Sequence, residues 1–399
     1  MSDAPRIAPR LLFWGTAITQ LVGWGCLFTP FQLMVAPMEA ELGWSRVLIS
    51  GAFTCGLLIS GLVAVPAGRW QDRHGPRSMM TGGALLGAAL LVCWSFVSHP
   101  VAFVAIWVLL GAAHATCLWG PAMAVVVAEA RDVTRSITAI TLITGFTGTI
   151  FIPLVEALIG LFGWRDALLV LAVIQTGSAV LTGYMLRHAG PPKRLAESAP
   201  TVSLLRRLRD PVFLGLAFCF AAHAFIGTGL GAHLVLLLRE RGWPEATVLL
   251  LAAAHGPGQV AARLVLFTLG RGGAMRHVGR FALLLLPIGM ALFALAPNNL
   301  ALTIAFIIAW AVADGLLTIL RAAGVAEIMG RDGFGATSGA LSAFAVLPRT
   351  AAPLALALVW DAAGGYGPVP WLLLAIALFA MTSFYAASRP RSPHHIPLR

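Results

Sequence analysis

Twelve stretches of roughly 20 apolar residues, each closed by a short polar knot, run the length of this sequence. A run of that length is what an α-helix needs to cross the ~30 Å hydrocarbon layer of a bilayer. The spans fall at about 11–35, 46–68, 78–97, 100–127, 136–158, 164–187, 212–238, 246–269, 278–297, 299–325, 335–360 and 368–387. Tight turns are expected at Ser98-His99-Pro100 and Pro297-Asn298-Asn299. A β-barrel is excluded because barrel strands alternate apolar and polar residues over only ~10 positions, whereas these runs are continuously apolar. Only 11% of residues are charged, against ~25% in an ordinary soluble domain, so the chain reads as an all-α polytopic membrane protein.

The formal charge of +11 invites a nucleic-acid partner, but the basic residues sit in the loops between spans. With the N-terminus cytoplasmic, that side receives Arg6, Arg10, Arg69, Arg73, Arg77, Arg131, Arg135, Arg187, Lys193, Arg194, Arg206, Arg207, Arg209, Arg271, Arg276, Arg280, Arg331, Arg389, Arg391 and Arg399. The opposite side has Arg46, Arg165, Arg239 and Arg241, a bias of 20 to 4. That bias places both termini in the cytoplasm and makes the positive charge a topology signal, with attraction to anionic headgroups second. Met1 to Arg10 leads into an apolar stretch without a small-residue cleavage site, so the first span is expected to be retained. The five cysteines, Cys26, Cys55, Cys93, Cys117 and Cys219, all fall in spans without paired-ligand spacing. They read as buried small hydrophobes, with neither disulfide nor metal implied.

The longest polar segment separates six spans from six. The expected organisation is an N-terminal six-helix bundle over 1–190, a cytoplasmic linker over 191–211, and a C-terminal six-helix bundle with a short tail over 212–399. An offset of 199 residues lays Glu41-Leu42-Gly43-Trp44 over Glu240-Arg241-Gly242-Trp243 and Arg77 over Arg276. Duplicated bundles are a transporter signature.

Between the second and third spans the chain reads Gly68-Arg69-Trp70-Gln71-Asp72-Arg73-His74-Gly75-Pro76-Arg77. This G-x-x-x-D-R-x-G-x-R spacing resembles the loop signature of the major facilitator superfamily. Gly75-Pro76-Arg77 and Glu41-Leu42-Gly43-Trp44-Ser45-Arg46 are similar to its bacterial monocarboxylate and oxalate/formate carriers. The resemblance implies a conformational latch at Gly68, Asp72, Arg73, Gly75 and Arg77 that biases alternating access without touching substrate. Physically, Gly75 and Pro76 suit a reversal, and Asp72 can face a helix N-terminus or pair with a loop arginine. A purely topological role for the arginines is the competing reading. The second half carries Arg271 where the offset places Asp72, so the acidic contact belongs to the first half alone.

Arg263, Arg321 and Arg349 lie inside spans eight, ten and eleven. A mid-span arginine costs about 2.5–3.5 kcal/mol on insertion scales, so each is expected to face a cavity, pair with an acid or snorkel. Arg263 follows Gly256-Pro257-Gly258-Gln259 and resembles the eighth-span arginine of monocarboxylate carriers, where a guanidinium holds a carboxylate. Closing the cytoplasmic gate is its alternative role. Asp314 and Arg321 stand two turns apart on one face. Asp314 is a candidate carrier of a coupling proton, while Arg321 can serve substrate or an acid from another span. For Arg349, between Pro348 and Pro353, helix packing or gating is the favoured role. Glu156 is expected at the interface. Of the histidines, His114 and His255 are singled out as bordering a central cavity, whereas satisfied core roles are favoured for all, His223 and His233 included.

Two departures narrow the resemblance. Gly145, Gly148 and Pro153 form a degraded version of the antiporter glycine-proline pattern. Phe31 stands after Phe28-Thr29-Pro30, where monocarboxylate carriers place a lysine, which makes a more apolar or aromatic acid credible.

The expected function is secondary transport of a small organic solute, a monocarboxylate or other organic anion, with a proton as candidate coupling ion. The expected carrier is a monomer in a bacterial inner membrane, without cofactor or metal. An exporter of hydrophobic, drug-like compounds is the alternative; a membrane-embedded enzyme or receptor lacks a nucleophile, ligand set or signalling domain to support it.

Overall fold

A computed structural model describes residues 7–130, 133–190, 210–269, 275–295, 298–321, 325–329 and 334–388. They are helical throughout, with no strand among the described residues. The first half holds α1 (Pro9–Leu27), α2 (Phe31–Leu42), α3 (Arg46–His74), α4 (Pro76–Ser95), α5 (Pro100–Cys117), α6 (Trp119–Glu129) and α7 (Val133–Thr144). The continuous stretch Thr147–Met185 is two helices, α8 (147–162) and α9 (164–185), folded back at Gly163 with φ 82°. The second half holds α10 (Pro211–Glu240), α11 (Glu245–Leu269), α12 (Met275–Leu295), α13 (Leu300–Ile319), α14 (Val325–Met329), α15 (Phe334–Ala363) and α16 (Val369–Ala387).

Among the described residues eleven helical stretches are long and apolar enough to cross a membrane, and one of them, Ala139–Met185, contains the Gly163 reversal and so two crossings. The twelve expected spans are thereby accounted for, and their ends obey local rules. Gly43 closes α2 with φ 66°, and the Ser45 hydroxyl accepts the Leu48 N–H at 3.2 Å to start α3. Gly75, with φ 84°, ends α3, and Pro76 opens α4 where its missing N–H is harmless. Asn299 caps α13 through the Leu302 N–H at 3.2 Å. The expected linker is outside the described residues up to 209; Asp210 then caps α10 by accepting the Val212 N–H at 2.9 Å.

Three spans of the first half, expected as continuous, are each two helices. Span one breaks at Phe28-Thr29-Pro30, span four at Leu118 with ψ −149°, and span five at Gly145-Phe146. Breaks in apolar surroundings free backbone carbonyls that must find donors. Here the donors are side chains of neighbouring spans: His114 Nε2 lies 3.3 Å from the Leu27 carbonyl, and Gln20 Nε2 donates to the Cys117 carbonyl at 3.1 Å.

Side chains of Leu161 and Val173, both 73% exposed, project outward where lipid rather than water would cover them. Within the first half an aromatic cluster fills the interior, with Phe31 stacked on Phe53 at 4.0 Å and Trp107 edge-on to Phe53 at 4.9 Å. Helices α3 and α5 meet at Gly56 and Gly111, where a Cβ on either would strike the other helix's backbone. Cys93 is exposed rather than buried, correcting the expectation for that residue.

Two compact units can be distinguished. One comprises 1–197, 228–260 and 350–369; the other comprises 198–227, 261–349 and 370–399. The ends of α10, α11 and α15 remote from the termini therefore pack with the first half.

Candidate functional site

The second unit gathers the intramembrane charges. His223 on α10 places Nε2 2.7 Å from Asp314 Oδ1 on α13, both side chains being 16–17% accessible. Arg263 on α11 stands within electrostatic reach of Asp314. Two residues past the end of α13, Arg321 donates from Nη2 to the Ser342 hydroxyl of α15 at 2.7 Å, its guanidinium 6.0 Å from the Phe220 ring. Arg349 on α15 is exposed and feels Arg321 as a like charge. Arg263, Arg321 and Arg349 thus lie in the same unit as Asp314, Arg263 near the carboxylate and Arg349 near Arg321, three positive charges at the depth where charge is costly. The helices are held around this site by an apolar core containing Phe213, Phe220, Leu320 and Phe384.

His223 is satisfied by the Asp314 carboxylate, a partner on another helix. Of the two histidines singled out in sequence, His114 is buried against the freed Leu27 carbonyl, and His255 lies 3.2 Å from the Gln259 amide nitrogen one turn along α11. The loop residues Asp72, Arg73 and Arg77 are exposed at the α3–α4 reversal, Gly75 is buried there, and Gly68 lies within α3. Among the described residues no group of three His, Cys, Asp or Glu side chains could hold a metal ion.

A second constellation lies in the first unit, at the ends of odd-numbered spans and so on the face opposite the termini. The Arg46 guanidinium grips both oxygens of Glu39 at 2.8 and 2.6 Å and lies over the Trp360 ring. Trp360 donates its indole N–H to Glu240 at 2.8 Å, and Glu240 also accepts the Tyr366 N–H at 2.5 Å. The Tyr366 hydroxyl meets His233 Nδ1 at 2.6 Å, while His233 Nε2 donates to the Pro353 carbonyl at 2.8 Å. Burial pushes that tyrosine hydroxyl above its ordinary pKa, so it stays protonated. Arg239 bonds Glu245 at 2.6 Å and Glu156 at 3.0 Å, so Glu156 is paired and not merely interfacial. Deeper in, Thr149 donates to the Ala253 carbonyl at 2.8 Å, and Gly256 abuts the Gly145 carbonyl so closely that no Cβ fits. First-half and second-half residues interlock throughout this constellation, which sequence pattern alone did not reveal.

Comparison with known proteins agrees with this architecture. The family model described as Major Facilitator Superfamily matches residues 12–353. No curated protein sequence matches significantly. Among solved structures, a mutant of the nucleoside transporter NupG superposes with a TM-score of 0.78 at 13% identity, covering 96% of this chain and 100% of that one. A bacterial homolog of the human lysosomal transporter Spinster, inward-facing and unoccupied, gives 0.69 at 14% identity, covering 95% and 97%. At such identities the likeness establishes fold alone, but the family match spans most of the sequence. With its twelve crossings and a charged cluster set among them, this multi-span membrane protein belongs to the major facilitator superfamily and is a transporter of small solutes, not an enzyme.

Proposed function

We propose that the protein carries a small organic anion, with a carboxylate as the recognised group, in symport with a proton. The observation that carries this reading is the gathering of Arg263, Arg321 and Arg349 in the unit that holds Asp314, with Arg263 in the field of that carboxylate. Guanidiniums bind carboxylates bidentately, and a desolvated site with surplus positive charge selects anions over neutral or cationic solutes. Arg263 is the primary ligand, Arg321 supports it, and Asp314 belongs to the proton path. His114 and His255 serve the helices around the passage.

In this reading both termini are cytoplasmic, as the 20 to 4 basic bias supports. The Arg46–Trp360 constellation then closes the outer face, and Gly68 to Arg77 latches the inner face when solute is released outward. The two six-helix bundles rock about the 191–211 linker, in a monomer of a bacterial inner membrane.

The test is uptake into proteoliposomes of benzoate, lactate, oxalate, uridine and a hydrophobic cation under an imposed pH gradient. Accumulation of carboxylates that is lost in Arg263→Ala, with the variant still monodisperse, supports the reading. Uptake of uridine or the cation in preference to every carboxylate overturns it.

A further inference from the structure

We propose that Arg10, Arg77 and Arg187 hold the phosphate of one anionic phospholipid at the membrane face that carries the termini, a site independent of which solute is carried. Three helix ends converge there, the start of α1, the start of α4 and the end of α9, over a core that includes Leu12, Met80, Met185 and Leu186. Each arginine is exposed and lies within three residues of that core in sequence. Helices α4 and α9 run antiparallel, with Gln175 reaching the Ala84 carbonyl and Gly183 against Thr81, where an added Cβ would stand 3.3 Å from the hydroxyl. Arg77 is one turn before Thr81 and Arg187 one turn after Gly183, so both leave this helix pair at the same level, across about 8–10 Å between axes. Among the described residues none of the three has a carboxylate at ion-pair distance. On the opposite face Arg46, Arg165 and Arg239 each have one, at 2.6, 2.8 and 2.6 Å.

Like charges gathered at one level without an acid among them favour an anion from outside the chain, and the adjoining surface selects its kind. Along α9, Val173, Val180, Tyr184 and Arg187 recur at helical spacing on one face, the two valines and the tyrosine largely exposed. An acyl chain laid along the valines brings its headgroup to the level of Tyr184 and Arg187, whereas a free phosphate gains nothing from that apolar stripe. The Arg187 guanidinium is already oriented there. Its Nε donates to His188 Nε2 at 3.0 Å, its Nη1 donates to the Tyr184 carbonyl at 3.2 Å, and it lies 4.0 Å from the centroid of the Tyr184 ring. Two of a guanidinium's five N–H groups are thereby used, which leaves the others for phosphate oxygens. Arg10 and Arg77 add charge and donors from the neighbouring helix starts. A zwitterionic headgroup would bring an ammonium into the same field, so the site prefers a headgroup of net negative charge, as in phosphatidylglycerol.

The test is native mass spectrometry of the full chain released from detergent micelles and titrated with palmitoyl-oleoyl phosphatidylglycerol or with phosphatidylcholine of the same acyl chains. The parent should retain phosphatidylglycerol about tenfold more tightly, and the double variant Arg10→Gln/Arg187→Gln should lose most of that preference. Arg77 stays intact in these variants because it also closes the proposed latch. Tyr184→Ala leaves every charge in place, yet should weaken retention severalfold because Arg187 loses the ring that orients it. Equal retention of the two lipids by the parent overturns the proposal, as does a preference that the double variant keeps. A preference untouched in Tyr184→Ala overturns it in favour of diffuse attraction, and displacement by excess inorganic phosphate overturns the lipid as occupant. Should the variants fail to fold, the parent decides. Phosphatidylglycerol, unlike phosphatidylcholine, should raise its melting temperature by a few degrees and slow amide exchange at the end of α9. Protection that is absent, or confined to other helices, overturns the site.

Discussion

The Arg46 guanidinium lies 4.0 Å above the centroid of the Trp360 ring, joining the start of α3 to the end of α15. A cation over an indole contributes about 0.5–2 kcal/mol depending on desolvation, and Arg46 is only 12% accessible. Trp360→Ala also removes the donor to Glu240. The face should open more often, by roughly tenfold for each ~1.4 kcal/mol lost. A cysteine placed at Ser50, fully buried one turn below Arg46, reports this by its reaction with a membrane-impermeant maleimide. Labelling no faster in Trp360→Ala than in the parent would show that the contact holds nothing shut.

Gly256 meets the Gly145 carbonyl with no room for a Cβ. Gly256→Ala should strain this conformation by about 1–3 kcal/mol. Because the clash is with backbone, relief comes by parting the two helices. Transport should slow markedly while the melting temperature falls by no more than a few degrees. Wild-type turnover in the alanine variant would mean that the close approach is not part of the working cycle.

His114 satisfies the carbonyl released where α1 breaks after Leu27. Leaving a buried carbonyl without its donor costs about 1–3 kcal/mol. His114→Ala should lower thermal stability accordingly, and His114→Asn should recover part of the loss because its amide can still donate. A loss of solute affinity with stability untouched would move His114 into the binding site.

Arg349 stands near a like charge, so its removal relieves repulsion as it lowers the positive charge of the proposed site. Arg349→Gln is expected to raise the KM for benzoate about tenfold, near 1.4 kcal/mol of binding, without lowering the melting temperature. A destabilised variant with unchanged KM would return Arg349 to the helix-packing role that its flanking prolines suggest.

Span number and the division between the fifth and sixth spans were legible in the sequence because long apolar runs and polar breaks are local signals. The breaks at Leu118 and Gly145-Phe146 were not. Both lie inside unbroken apolar stretches, where hydropathy carries no record of backbone torsion, and their freed groups are satisfied by residues far away in sequence. Arg263, Arg321 and Asp314 stood out because each violates the cost of charge in lipid. His223 did not, since a neutral imidazole is cheap to bury and its partner lies on another helix. Glu156 seemed peripheral for the same reason: its partner, Arg239, is 83 residues distant.

Arg239 keeps Glu245 of its own half at 2.6 Å while touching Glu156 of the other half at 3.0 Å. Arg46 likewise takes Glu39, seven residues away, as its ionic partner and offers Trp360 only the face of its guanidinium. When the halves part, both arginines travel with a counter-ion already attached, so no cation is stripped bare. Separation forfeits one aromatic contact and one shared carboxylate in place of the several kcal/mol that an unpaired buried charge would demand. A seam wired in this way can be tight at rest and still separate under thermal motion, which a carrier must do once in every cycle.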